Sequence, residues 1–370
     1  MFPFSVPPLL HTVAQIVIER SFKLQKNEQV LIITNPELDV GTIATALYEA
    51  VILAGGKPVL IFQPVKTQLD FAEPAVIAAF NAKPEIVISL SANKMGKDKK
   101  ASAHPYRHKG IGYDHIFHLQ LYGEKRCRGF WSPGITIDSF CRTVPIDYDV
   151  MEHQCAVVKS VLDDAVSIHI SAPSGTDVTF GLHGRQAKAD DGNFSMPGHG
   201  GNLPAGETFI SPENGTANGT IVFDGSITLN DGDILIRDPI HCTLDQGFVT
   251  EISGGSEATE LLRTIEMAET NAYEFERIGT LPPGIASLYA RNARAIGEIG
   301  IGLNPEAKIT GNMLEDEKAF HTCHFAIGHN YDDDLPALIH LDGLVQNPTI
   351  TTFSKTGEEI MIELDGELLL

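Results

Sequence analysis

Two short apolar segments near the end of the chain carry side chains that commonly bind metal ions. In residues 338–343, His340 and Asp342 alternate with apolar residues. Residues two apart in a β-strand point to the same face, so this imidazole and carboxylate would project together from a rigid backbone. That geometry suits two ligands on one metal ion, or a hydrogen-bonded His–Asp pair. In the second segment, His324 begins the run His-Phe-Ala-Ile-Gly, where it is either a ligand or a core histidine.

Two glutamates stand in equally unusual surroundings. Glu298 is the one charged residue in Ile-Gly-Glu-Ile-Gly-Ile-Gly, residues 296–302. A carboxylate in apolar surroundings needs a partner or a metal, unless it is exposed at a turn. Glu207 follows the glycine-rich loop 200–206, which either lets the backbone approach a ligand closely or is an ordinary surface loop.

Taken together, these residues form a chemically consistent ligand set. The set comprises two glutamates, two histidines, an aspartate and the tyrosine that follows His324, Tyr331. These side chains offer oxygen and nitrogen donors without any cysteine. Such donors favour zinc, cobalt or manganese over a structural thiolate site. Two carboxylates can also bridge a pair of ions about 3.5–4 Å apart, the spacing typical of two-metal hydrolases.

The first part of the chain predicts the scaffold of an α/β domain. Apolar runs of strand length occupy residues 29–34, 58–62 and 85–90, and a helix is expected over 40–53, ended by Gly55 and Gly56. Strand, helix and strand with short connections form a βαβ unit with parallel pairing. The loop after the first strand lacks GxGxxG, so we infer no dinucleotide site there.

The later part of the chain predicts a mixed, strand-rich domain. Residues 166–255 are β-like, and residues 257–278 have the apolar spacing of a helix packed on a core. Three dipeptides are typical of hairpin turns: Asn218-Gly219, Asp224-Gly225 and Asp231-Gly232. A strand, the turn Asp365-Gly366 and another strand are expected at the end. The predicted fold class is therefore α/β, with a parallel-sheet βαβ-type domain over 1–150 and a larger α+β metal-binding domain over 151–370.

Composition excludes several classes of partner. The formal net charge of −21 disfavours nucleic acid and anionic membranes. The five cysteines include no CxxC pair, which favours free thiols in a reducing cytoplasm. The N-terminal residues do not read as a signal peptide, and no apolar run reaches about 18 residues. A cytoplasmic protein is expected.

Several of these segments, in this order, resemble the thermophilic aminopeptidases of peptidase family M29 (aminopeptidases T and S and related leucyl aminopeptidases). The resemblance extends from Pro173 to Thr351. The matching segments are residues 174–177, 202–207, 217–220, 296–302, Asp316-Glu317-Lys318, 324–328 and 340–342.

The resemblance implies a homodimeric exopeptidase that removes N-terminal residues from peptides. Its cofactors would be two divalent metal ions (zinc, cobalt or manganese) that activate a bridging water. The implied ligands are Glu207, Glu298, His324, Tyr331, His340 and Asp342. The resemblance gives Glu207, Glu298 and Tyr331 catalytic roles, while the general base stays open among Glu207, Glu298 and Glu317.

Two alternatives and one departure accompany this interpretation. A dihydroxypyridine dioxygenase is similar to this family in its C-terminal half, and it would use a single iron(II) while keeping His340 and Asp342. A diverged, non-peptidase member is the other alternative. His321 stands where the family usually has glycine, and it could add a ligand or be an ordinary surface or core histidine.

Overall fold

The computed structural model describes residues 4–67, 70–332 and 334–370. The chain forms two compact units. One comprises Met1–Glu152 with Asp190–Ala205, and the other comprises His153–Ala189 with Gly206–Leu370. In the described residues no helix is both long and apolar enough to cross a lipid bilayer.

The α-helices are α1 (Pro8–Ile16), α2 (Leu38–Leu53), α3 (Pro74–Ala79), α4 (Lys99–Ala103), α5 (Ile116–His118), α6 (Ile137–Thr143), α7 (Tyr148–Asp164), α8 (Ser256–Arg277), α9 (Ala286–Asn292) and α10 (Met313–Asp316). Short 3₁₀ or π turns lie at Val17–Ser21, Phe80–Ala82 and Leu119–Gly123.

The strands are β1 (Gln29–Thr34), β2 (Lys57–Phe62), β3 (Ile86–Leu90), β4 (Tyr106–His108), β5 (Ile111–Tyr113), β6 (Arg128–Trp131), β7 (Ala165–Ser171), β8 (Asp177–Gly181), β9 (Lys188–Asp190), β10 (Gly200–Gly201), β11 (Glu207–Ile210), β12 (Asn218–Phe223), β13 (Ser226–Leu229), β14 (Gly232–Leu235), β15 (Ile240–Asp245), β16 (Phe248–Ser253), β17 (Ile296–Gly302), β18 (Thr322–Gly328), β19 (His340–Gln346), β20 (Thr349–Ser354), β21 (Glu359–Leu364) and β22 (Glu367–Leu368).

The first unit contains a five-stranded parallel sheet in the order β10-β6-β3-β1-β2. The interior strand β1 is buried after its first residue because it has β3 and β2 as neighbours on its two sides and α2 packs nearby. A strand buried in this way reads as a continuous apolar run, which is the pattern that predicted it. Gly55 has φ of +82° and ends α2, a conformation that favours glycine. The predicted βαβ unit is confirmed.

The second unit contains two large sheets. One has seven strands in the order β14-β13-β19-β18-β17-β11-β9, and its neighbours from β14 to β11 run antiparallel. The other has eight antiparallel strands in the order β16-β15-β12-β8-β7-β20-β21-β22. Helix α8 buries Leu261, Ile265 and Ala268 along one face, as the spacing predicted. The predicted α/β fold class, with a parallel sheet followed by a larger mixed region, is confirmed.

Two predicted turns are also confirmed. Asp231-Gly232 joins β13 to β14, which pair antiparallel, and Gly232 has φ of +121°. Asp365-Gly366 joins β21 to β22 in the same way.

The other two predicted hairpin turns are wrong. Asn218 and Gly219 begin β12 itself, where Gly219 pairs with Val178 on one side and Leu244 on the other. A Cβ on Gly219 would lie 2.2 Å from the carbonyl oxygen of Asp177, so this glycine permits close strand approach. The segment at 224–225 links β12 to β13, which belong to different sheets.

Candidate metal centre

Four adjacent strands of the seven-stranded sheet place five of the six predicted ligands on one face. These residues are Glu207 on β11, Glu298 on β17, His324 on β18, and His340 and Asp342 on β19. Residues paired across a sheet share a face, so antiparallel register brings side chains distant in sequence together. The predicted strand at His340 and Asp342 is present.

Each of these side chains has a small residue opposite it on at least one neighbouring strand. Glycines occupy the partner positions of Glu207, His324 and His340, and Ala326 lies between Glu298 and Asp342. A Cβ on Gly300 would lie 2.0 Å from ring atoms of the paired His324. The alternating glycines of β17 therefore leave room for the larger side chains to meet above the sheet.

His324 lies between two carboxylates. Its Nε2 is 3.5 Å from Oε2 of Glu207 and 3.4 Å from Oε1 of Glu298. The imidazole is completely buried. Burial favours its neutral form, but the neighbouring carboxylates outweigh burial and raise the pKa of His324 to about 9.

His340 is oriented by the backbone. Its Nδ1 lies 2.7 Å from the carbonyl oxygen of His329, which can only accept a hydrogen bond, so Nδ1 carries the hydrogen. Nε2 then faces Oδ1 of Asp342 at 3.2 Å and Oε2 of Glu298 at 3.5 Å. In the neutral imidazole, the lone pair of Nε2 would point at the lone pairs of these two carboxylate oxygens. A cation between them, either a proton or a metal ion, removes that repulsion.

Without a metal ion, the proton takes that place. Burial opposes protonation of His340, but Asp342 and Glu298 outweigh it and raise the pKa of His340 to about 10. Burial also opposes ionisation of Asp342, yet His340 lowers the pKa of that carboxyl to about 2. For Glu298, burial dominates and raises the pKa. The cluster has the charge pattern of a cation site.

Three buried oxygens in this cluster accept no well-directed hydrogen bond from the described residues, although each faces an imidazole nitrogen at 3.2–3.5 Å. They are Oε2 of Glu207, Oε2 of Glu298 and Oδ1 of Asp342. Unpaired buried oxygens of this kind are costly. Together with two imidazole nitrogens they form a donor set that fits a divalent transition metal.

A lysine and a further glutamate complete the centre. Lys318 is fully buried, and its Nζ lies 2.6 Å from Oε1 of Glu207 and 2.5 Å from Oε1 of Glu317. Glu207, Glu317 and His324 also form a group whose donor atoms lie within 4.8 Å of one another and could hold a metal ion. The sequence suggests Glu317 only as a possible base and assigns no role to Lys318. The charged triplet Asp316-Glu317-Lys318 was the available signal.

The family match decides which proteins this chain belongs with. Residues 137–326, just over half of the chain, match the model of the family described as 2,5-dihydroxypyridine 5,6-dioxygenase (NicX). The chain belongs to the NicX family. The matched region includes Glu207, Glu298 and His324, and it ends before β19.

A curated NicX-family relative supports this assignment. The chain is 29% identical over 181 residues to 2,5-dihydroxypyridine 5,6-dioxygenase from Pseudomonas putida KT2440. That alignment covers 47% of this chain and 44% of the relative, so it spans less than half of the relative's length.

Two solved structures share the NicX-type fold over nearly the whole chain. The 2,5-dihydroxypyridine dioxygenase of P. putida KT2440 has a TM-score of 0.69 and 19% identity, covering 97% of this chain and 96% of that one. AmpT from Thermus thermophilus has a TM-score of 0.64 and 15% identity, covering 98% of this chain and 99% of that one. At these identities the likeness shows the fold alone.

These comparisons correct the functional expectation. The M29-like fold is confirmed, but the prediction of a hydrolase, specifically a metalloaminopeptidase, is wrong because the family model and the curated relative both name a dioxygenase. The sequence motifs misled because the two groups share a fold, and the segments compared form its site-bearing strands. Oxygen and nitrogen donors on such a scaffold do not specify the reaction.

In this NicX-family chain, Tyr331 lies in the loop between β18 and β19. Its ring centre is 5.0 Å from that of His340 and 5.6 Å from that of Phe209, and the residue is 52% exposed. Lys188 donates a 2.7 Å hydrogen bond to the carbonyl of Tyr331. The tyrosine therefore forms an aromatic wall beside the cluster, and its predicted role as a ligand stays a prediction.

His321 lies against the turn between β21 and β22. Its Nδ1 is 2.8 Å from the carbonyl of Gly366, and its backbone has φ of +65°. Nothing in these contacts supports a role for His321 as an added ligand.

Proposed function

We propose that this chain is an iron(II)-dependent dioxygenase that uses O2 to open a dihydroxylated pyridine-type ring. Its family membership and the name of its curated relative support this reaction class. The observation that carries the proposal is a buried histidine, His324, and a half-buried one, His340, that share one sheet face with carboxylates whose buried oxygens lack hydrogen-bond partners among the described residues. In place of two zinc, cobalt or manganese ions, we propose a single iron(II).

The donor set suits this metal. Two histidines and one carboxylate with open coordination positions are typical of non-haem iron(II) oxygenases. His324, His340 and Asp342 would hold the ion, with Glu298 between the two imidazoles. When bound, iron(II) would supply the redox chemistry that allows O2 to react with an aromatic ring.

Protein groups around the donors would orient the substrate and its ligands. The carbonyl of His329 fixes the ring of His340, so Nε2 is presented in one direction. The rings of Tyr331 and Phe209 lie beside it and could pack against a planar substrate. A flat, hydroxylated heteroaromatic ring fits these surroundings.

Glu207 is the best-placed group to accept a proton from a ring hydroxyl. One carboxylate oxygen is held by Lys318, while Oε2 is buried with no hydrogen-bond partner among the described residues. A fixed carboxylate with one available oxygen is suited to act as a general base. We propose this role for Glu207, with Glu317 paired to Lys318 behind it.

Oxygen consumption tests the proposal. Metal-free protein would be reloaded anaerobically with iron(II) or zinc and mixed with 2,5-dihydroxypyridine, while an oxygen electrode and the ring absorbance are followed. We expect one O2 consumed per ring lost with iron, and no reaction with zinc. Stoichiometric iron binding without oxygen uptake on this or related dihydroxylated rings would contradict the proposal.

Two matched substitutions compare a histidine of the metal centre with a histidine outside it. His340→Asn removes the imidazole that faces Asp342 and should abolish turnover. His321→Asn makes the same change at a residue whose ring contacts a turn, and asparagine tolerates its positive φ. This control should keep nearly full activity.

A further inference from the structure

The first unit contains a pocket of about 330 Å³ between the hairpin β4–β5 and the segment that follows α5. The hairpin is tight, because its turn consists of Lys109 and Gly110 alone, with φ of +49° and +88°. Positive φ at both turn residues is typical of two-residue hairpins whose turn matches the twist of the strands. Pockets for small molecules have volumes from roughly 300 Å³ upward. The pocket is therefore large enough for one small ring compound.

Two tyrosines and an isoleucine form the apolar part of this pocket. Tyr113 packs against Gly123, where a Cβ would lie 2.9 Å from the tyrosine ring, so the glycine lets this ring approach the backbone. Tyr122 and Ile111 are 43% and 59% exposed. Accessible aromatic and aliphatic side chains around a concave surface can pack against a planar ring.

The polar part of the pocket is positively charged, although the formal net charge of the chain is −21. Lys109 and Lys125 line the pocket and are exposed, and among the described residues neither forms an ion pair with a carboxylate. His108 lies beside them in the lining. Glu124 also lines the pocket, but its Oε2 is 3.6 Å from Nε of Arg126, which offsets its charge. Two ammonium groups beside aromatic rings favour an anion.

We propose that this pocket binds a small aromatic anion, a planar ring that carries a carboxylate or a phosphate group. The ring would pack against Tyr122 and Ile111, and the acidic group would meet the ammonium groups of Lys109 and Lys125. The lining residues all belong to the first unit, whereas the candidate metal ligands belong to the second. Binding at this pocket can therefore be measured without metal or O2, and it does not depend on the reaction proposed for the metal centre.

Calorimetric titration of metal-free protein at low salt tests for this site. The probes are benzoate and AMP, which carry a ring with a carboxylate or a phosphate. Benzamide and adenosine supply the ring without the charge, and inorganic phosphate supplies the charge without the ring. We expect one site per chain for benzoate, AMP or both, with at least about tenfold higher affinity than for the three control compounds.

Binding of benzoate alone or AMP alone would support the site and identify its acidic group. Absence of saturable binding by both probes would overturn the proposal. So would control compounds that bind as tightly as the probes, because the pocket would then not recognise a ring and an anion together.

Asparagine substitutions locate the bound anion. Lys109 and Lys125 have φ of +49° and +48°, a conformation that asparagine tolerates, so Lys109→Asn and Lys125→Asn remove the charge without straining the backbone. Each should weaken binding of the charged probe about fivefold. Lys83→Asn is the matched control, because Lys83 is an exposed lysine of the same unit with φ of +59° and does not line the pocket. Unchanged affinity in both pocket variants would place the anion elsewhere and overturn the proposal.

Glu124→Gln keeps the test decisive if the lysine variants fold poorly, because it should increase affinity. The change removes the negative charge from the lining and frees Arg126 from its carboxylate partner. Affinity for the charged probe should rise about two- to fivefold, while adenosine and benzamide should bind as they do to the wild-type protein. Equal or weaker binding of the charged probe by Glu124→Gln would contradict an anion in this pocket.

Discussion

At the scale of single residues, the metal centre depends on the glycines opposite the candidate ligands as much as on the ligands themselves. His324 can lie above the sheet only because its partner across the strand pair, Gly300, has no Cβ. Glycine in a strand weakens it, so its use here has a local cause. The cause is space for a buried imidazole between Glu207 and Glu298.

Gly300→Ala should therefore weaken metal binding. A Cβ at this position would come within 2.0 Å of the His324 ring and displace it. We expect affinity for manganese(II) or iron(II) to fall about 10–100-fold, the range for disturbed ligand orientation. Gly112→Ala, on β5, is the control, because its added Cβ meets only Pro105 at 3.6 Å. Equal affinities for both variants would refute the explanation.

The pH dependence of metal binding follows from the raised pKa of His340. With a pKa of about 10, its imidazole holds a proton at neutral pH in the metal-free protein. A metal ion must displace that proton, so apparent affinity should rise up to about tenfold per pH unit for each proton released. Calorimetry at pH 7.5 in buffers of different ionisation enthalpy should detect at least one released proton. Zero released protons would be inconsistent with this charge state.

The buried carboxyl of Glu363 should make the free energy of unfolding depend on pH. It is fully buried, neither oxygen has a hydrogen-bond partner among the described residues, and burial raises its pKa well above 4.5. The folded protein therefore keeps a proton that the unfolded chain releases above about pH 4.5. The free energy of unfolding should fall as pH rises, by at most about 1.4 kcal/mol per unit from this group.

Glu363→Gln should remove that dependence. In urea unfolding between pH 5 and 8, the variant should become more stable relative to wild type as pH increases. Glu359→Gln, exposed on the same strand, is the control and should follow wild type. Parallel wild-type and Glu363→Gln curves across this range would rule out an unpaired buried carboxyl.

At the scale of elements, two cationic side chains hold the loop between β18 and β19. They are Arg185, which precedes β9, and Lys188, the first residue of β9. Arg185 lies 3.4 and 2.9 Å from carboxylates of Asp332 and Asp334. Lys188 contacts Asp332 at 3.0 Å and the carbonyl of Tyr331 at 2.7 Å. These contacts hold the Tyr331 ring beside His340.

Lys188→Met should loosen the aromatic wall. Losing the hydrogen bond to the Tyr331 carbonyl costs about 1 kcal/mol, equivalent to about fivefold in binding, and the partly exposed ion pair with Asp332 adds little to this. We expect KM for the ring substrate to rise by about this factor, with kcat changed less, in steady-state oxygen uptake. Lys159→Met, which breaks a pair with Asp163 one helical turn away, should leave KM unchanged. A fall in kcat alone would assign Lys188 a different role.

The elements that the sequence predicted correctly are those whose patterns are local. The strand at 29–34, helix α8 and the turn at Asp231-Gly232 follow from apolar spacing and turn chemistry within a few residues. The turn predicted at Asn218-Gly219 is wrong because Gly219 pairs with Val178 and Leu244 on the neighbouring strands. These partners are 41 and 25 positions away along the chain, beyond the reach of a local pattern. Lys318 was missed for the same reason, since its partner Glu207 is 111 residues distant.

At the scale of the whole molecule, two different kinds of protein share this fold. The chain superposes on a dihydroxypyridine dioxygenase and on AmpT with similar TM-scores of 0.69 and 0.64. Ligand types and their order along the chain therefore identified the scaffold but not the chemistry. The homodimer, the lack of nucleic acid partners and the domain boundary near residue 150 stay predictions.

The origin of the oxygen atoms in the product distinguishes a dioxygenase from a hydrolase most directly. Iron(II)-loaded protein would convert 2,5-dihydroxypyridine under ¹⁸O2 in ordinary water, and in parallel under ordinary O2 in H2¹⁸O, with products analysed at once by mass spectrometry. We expect a ring-opened product that carries two oxygen atoms from O2. A product labelled only from water would contradict the dioxygenase assignment.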